Sequence, residues 1–115
     1  MAEAKYHVHV PAVDPSGYPL HPELPNAAQQ WLNGVQPRLF KSTWVEGPHQ
    51  HRYGPAHHVV AIAEDSPESD SYVKQLATHV GELSGHSAVD VHKHSKDGIQ
   101  VWTVPNHGRN VGYDP

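Results

Sequence analysis

The chain of 115 residues contains no cysteine. That removes disulfides, thiolate nucleophiles and the cysteine-based zinc or iron–sulfur sites together, so any metal must be held by nitrogen and oxygen. Charge is also scarce, at 17% of residues with a net value of −4 when the histidines are neutral. No basic footprint for a nucleic-acid backbone is present, and duplex DNA is a poor candidate partner. No apolar run approaches the roughly 20 residues of a membrane span, and the start, MAEAKYHVHV, lacks a basic segment followed by an apolar one. The expectation is a soluble, cytoplasmic protein.

Histidine and proline fill the space left by charge, with 12 and 11 copies. The histidines are scattered, which separates them from a purification tag. The length fits a single domain over 1–115, with 1–4 and 105–115 as irregular termini.

Tyr6 to Val10 alternates apolar and histidine positions and predicts a half-buried strand, with His7 and His9 on the face opposite Tyr6, Val8 and Val10. Pro11 to Pro22 reads as a loop. Leu24, Ala27, Ala28, Trp31, Leu32 and Val35 share one helical stripe, and Gly34 and Pro37 stop that helix by about Gln36. Arg38 to Glu46 is extended and closes in a Gly47-Pro48 turn. Val59 to Ala63 reads as a buried strand that follows His49, His51, His57 and His58. If Val60 and Ile62 face the core, His58 does too, and His57 joins the other histidines.

Ser66-Pro67-Glu68 caps a second helix whose stripe is Val73, Leu76, Val80 and Leu83, ended by Gly85. Ser87 to His94 alternates again, with Asp90, His92 and His94 on one face. Lys96-Asp97-Gly98 is a hairpin signal, and Ile99 to Val104 returns as a short extra strand. This order predicts an α+β, ferredoxin-like sandwich: βαββαβ plus that C-terminal strand, with both helices covering one sheet face. Its first and last core strands are neighbours, which brings His7 and His9 beside His92 and His94 on the uncovered face.

The motif His-x-His places two rings on one side of a strand, and it occurs at His7/His9, His49/His51 and His92/His94. Imidazole is the commonest transition-metal ligand, so the repeats point to a metal site. The competing reading is a solvated polar face, which is preferred for His21, His79 and His86. The candidate ligands are His7, His9, His49 and His92. Asp90, Glu46 and Glu64 are the carboxylates in reach: two histidines with one acid suit Fe(II), and three or four histidines suit Zn, Cu or Ni. Trp44, Tyr53 and Trp102 could line an aromatic pocket, with core packing as the default for the tryptophans. No Ser-His-Asp order, phosphate loop or dinucleotide fingerprint is present.

The segments Tyr6-His7-Val8-His9-Val10, Trp44-Val45-Glu46-Gly47-Pro48-His49 and Val89-Asp90-Val91-His92 resemble the DOPA 4,5-dioxygenase-like proteins in order and spacing. The resemblance implies a small, often dimeric ferredoxin-like oxidoreductase that cleaves catechols with O₂ at a non-haem Fe(II). It makes His7, His49 and His92 the iron ligands. His51 or His94, each adjoining a ligand, would handle protons, and His107 stands nearest to the family's Asp-His pair. The expectation is therefore a metal-dependent dioxygenase acting on a small aromatic substrate as a homodimer. The alternatives are a non-catalytic histidine-rich metal-binding protein and a cofactor-independent monooxygenase of the dimeric α+β barrel type.

Overall fold

A computed structural model of the chain describes residues 2–35 and 38–106. Its elements are β1 (Glu3–Pro11), α1 (Leu24–Val35), β2 (Phe40–His51), β3 (Gly54–Glu64), α2 (Pro67–Ser84), β4 (Ala88–Ser95) and β5 (Gly98–Pro105). The five strands form one antiparallel sheet in the order β2-β3-β1-β4-β5. The class is α+β. The strand expected as a short addition is as long as β4 and pairs with it from Ala88↔Pro105 to Ser95↔Gly98. β5 is therefore a full edge strand, and β4 lies inside the sheet.

Alternation in β1 sorts the sheet into two faces. Tyr6, Val8 and Val10 are fully buried beneath the helices with Val59, Ala61 and Ala63 of β3 and Val91 of β4. Helix α1 closes this layer with Ala28 and Leu32, and α2 closes it with Val73, Leu76, Ala77 and Val80. Burying a side chain such as Leu76 contributes about 1.5–3 kcal/mol. Helix α2 starts and stops as its sequence dictates: Ser66 caps the Ser69 amide at 3.1 Å, and Gly85 adopts the left-handed conformation at φ 78°. Two stripe positions depart from expectation. Ala27 is exposed, and Leu83 is 51% exposed, because each stripe is narrower than its apolar spacing.

Strand boundaries also differ. β1 begins at Glu3, so residues 3 and 4 are strand rather than irregular terminus, and β5 reaches Pro105. β2 does not end at Gly47-Pro48. It runs to His51, and the dipeptide instead forms a bulge where the β2–β3 register shifts between Glu46↔His58 and His49↔Ala56. No described helix is long and apolar enough to cross a membrane.

Candidate functional site

Register decides which side chains share the open face of the sheet. His7 and His9 point away from the helices, and cross-strand partners lie on a common face. His9 pairs with His58, His7 with both Val60 and His92, and Lys5 with both Ile62 and His94. On β2, Trp44 lies opposite Val60 and Glu46 opposite His58. Three residues of β2 then face two of β3, so the bulge inverts parity and returns His49 and His51 to the same side. The open face thus gathers His7, His9, His49, His51, His58, His92 and His94.

This corrects the assignment within the His57-His58 pair. His58 belongs to the imidazole face and His57, paired with Val10, to the helix-covered side. The apolar run misled because it is buried from both sides: Val59, Ala61 and Ala63 pack under the helices, while Val60 is fully buried beneath the histidines.

The rings are in contact. His9 lies 4.2 Å from His51, 4.5 Å from His58 and 4.8 Å from His92, centroid to centroid. His58 is 4.9 Å from His49 and 5.5 Å from His7, whose other neighbour is His94 at 5.3 Å. The Nε2 atoms of His51 and His58 are 3.0 Å apart. Tyr53 Oη is 2.8 Å from His9 Nδ1, and the buried Nε2 of His9 has no hydrogen-bond partner among the described residues. Two groups bring three donor atoms within 4.8 Å of one another: His9 with His51 and His58, and His7 with Glu46 and His58.

Burial and mutual repulsion lower the proton affinity of His7, His9, His51 and His58. His9 is pushed down to about 3 and His58 to about 4, in each case first by burial and then by neighbouring histidines. His7 and His51 are lowered too, chiefly by burial. Glu46 is held below its ordinary value mainly by the Trp44 indole, which donates to its carboxylate at 2.8 Å.

Of the four expected ligands, His7, His9 and His92 occupy the centre of the face, and His49 lies exposed at its β2 side. The two donor groupings instead join His9 to His51 and His58, and His7 to Glu46 and His58. His51 thereby sits among the ligand candidates, and His94 lies at the opposite end of the face, beside Lys5. Asp90 shares the face but is engaged by Thr103 and Arg52. Glu64 is exposed at the far end of β3, opposite Glu3. Trp44 lies on the open face, and Trp102 packs on the helix side near Tyr6. His21 is exposed, His79 stacks on Trp31, and His86 reaches the Val13 carbonyl at 2.8 Å. His107 lies outside the described residues.

Sequence reasoning missed Tyr53 as the partner of His9 and His58 as a member of the site. Strand pairing was the signal needed for both.

No protein-family model and no curated protein matches the chain. The resemblance to DOPA dioxygenase-like proteins therefore rests on its three short segments. Two solved structures match over most of their length. A phage S-adenosylmethionine (SAM) lyase in complex with S-methyl-5'-thioadenosine is 14% identical, with a TM-score of 0.57 over 90% of this chain and 88% of that one. A phage SAM lyase in the apo state is 17% identical, with a TM-score of 0.48 over 92% and 90% of the two chains.

The fold is shared with a lyase. This overturns the expected Fe(II) dioxygenase, together with its oxidoreductase class and its catechol and O₂ partners. The non-catalytic metal-binding protein and the cofactor-independent monooxygenase find no counterpart here either.

Proposed function

We propose that the protein is a lyase acting on an adenosyl sulfonium such as SAM, with its substrate on the open sheet face at the Lys5–His94 end. The observation that carries the reading is the fold correspondence with the lyase that holds methylthioadenosine, a transfer of ligand class by fold analogy. The inner strands β2-β3-β1-β4 with α1 and α2 are read as a ferredoxin-like unit to which β5 is added.

The chain's own chemistry supports a sulfonium guest. A hollow of about 280 Å³ opens between Lys5, Ile62, His94 and Ser95. The Lys5 ammonium, 5.5 Å from the Trp44 ring centre, would take the substrate carboxylate, and the exposed part of the indole would stack on adenine. The ionised Glu46 carboxylate favours the sulfonium, and the nearby His7, pushed below its ordinary value chiefly by burial, adds no positive charge against it.

Breaking the bond from sulfur to the amino-acid chain returns its electron pair to sulfur and leaves the neutral thioether methylthioadenosine. As that bond breaks, His94 takes a proton from the carbon next to the cleaved one, and the C–H pair forms the double bond of the departing fragment in the same step. The test is chromatography of SAM incubated with the untagged protein. Methylthioadenosine should accumulate as SAM disappears, and His94→Ala should slow both. Absence of turnover, with no methylthioadenosine binding by calorimetry, would remove this reading.

A further inference from the structure

At the other end of the open face, the geometry points to a divalent transition-metal site of the zinc class held by His9, His51 and His58, with its fourth position open to solvent. The site stands apart from the proposed substrate hollow and does not depend on lyase activity. It also differs from the ligand set His7, His49 and His92 that the family resemblance implied, because β3 rather than β4 supplies its third ring.

Three observations converge. First, the three donor nitrogens lie within 4.8 Å of one another, and His51 Nε2 and His58 Nε2 are 3.0 Å apart. Two nitrogens bound tetrahedrally at about 2.0–2.1 Å from zinc are about 3.3 Å apart, so this pair already has nearly the required separation. The wider pairs would have to close onto the ion by side-chain rotation. In the metal-free protein, one of the two facing nitrogens must carry the proton that the other accepts. A metal ion would replace that proton.

Second, His9 is 2% exposed, yet its buried Nε2 has no partner among the described residues. A metal held by His9 together with His51 and His58 would give that atom a use. Third, the other nitrogen of His9 is fixed by Tyr53 Oη at 2.8 Å. A ligating histidine ordinarily donates its second N–H to an oxygen, which sets the tautomer and directs the free lone pair at the metal. Tyr53 is thus a positioning residue.

Full-length protein without an affinity tag, stripped with chelator, is titrated with Zn(II) by calorimetry and with Co(II) by visible absorption. The expected result is one ion per chain with the intense absorption of tetrahedral Co(II), and a raised melting temperature. His51→Ala and His58→Ala, both half-buried positions, should abolish the high-affinity ion while keeping the far-UV spectrum of the metal-free protein. Tyr53→Phe should weaken binding about tenfold. His21→Ala should change nothing.

Absence of saturable uptake by the wild type would overturn the proposal. So would uptake that survives both His51→Ala and His58→Ala, or that is lost only in His92→Ala or His94→Ala. SAM turnover is scored separately, so failure of the lyase reading leaves these outcomes readable.

Discussion

Lys93 is tied to Asp70: its ammonium lies 2.8 Å from Asp70 Oδ1 on the helix-covered side of the sheet, where the lysine side chain is only 7% exposed. Asp65 completes the pair at 2.7 Å, and the Tyr6 hydroxyl donates to Asp70 at 2.6 Å. Burial alone would lower the lysine pKa, and the two carboxylates outweigh it and leave the value raised. Removing one partner leaves a buried charge short of compensation, so Asp70→Asn should cost about 2–3 kcal/mol in urea unfolding. Lys93→Met should cost less, because Asp65 and Asp70 retain contact with water. Equal losses in the two variants would refute this division.

Gly47→Ala should disable the metal-site end of the open face. Its φ is +105°, and an added Cβ would sit 3.2 Å from Ala56 O, His49 N and His57 Cα, all backbone atoms that cannot rotate aside. The expected loss is about 1–3 kcal/mol of stability. Zn(II) binding should weaken as well, since His51 follows the bulge. Unchanged calorimetry for both folding and Zn(II) would show that the bulge tolerates the methyl group.

Acid should unfold the metal-free protein through its imidazoles. The unfolded chain takes up these protons near pH 6.5, whereas His58 does so at about 4 and His9 at about 3 in the native state. Between those limits the unfolded state holds more protons, so stability is full above about pH 6.5 and falls as the pH drops toward 4. Each such histidine adds up to about 1.4 kcal/mol per pH unit to the slope. Urea midpoints measured in chelator across this window should fall with pH, and His58→Asn should flatten the trend. A midpoint independent of pH would contradict the neutral cluster.

For the proposed lyase activity, Lys5→Ala should raise KM for SAM by about tenfold or more with a smaller change in kcat, as expected for loss of a charged hydrogen bond to the substrate carboxylate. Steady-state kinetics decide it. A fall in kcat alone would move Lys5 from binding to chemistry.

Both helices were legible in the sequence because their buried faces recur with helical spacing, as at Val73, Leu76 and Val80 beneath the Ser66 cap. The alternating strands β1 and β4 were legible for the same reason at period two, and their pairing His7↔His92 follows the expected neighbourhood. β3 was not. Val59 and Val60 are equally buried on opposite faces, so the run has no alternation from which to choose between His57 and His58. Gly47-Pro48 reads as a turn in one dimension, and only a partner strand reveals that β2 continues through it. The site depends on register between strands distant in the chain, which local pattern does not encode.

The bulge in β2 lets that strand carry one extra residue without changing the side its later histidines face. Deleting one residue between Glu46 and His49 would leave two residues of β2 opposite two of β3, with His49 and His51 still on the open face. Keeping the residue but pairing it without a bulge would instead turn both rings toward the helices. Bulge and extra residue must therefore come and go together, so relatives one residue shorter at this point should lack the bulge and keep the His51 ligand.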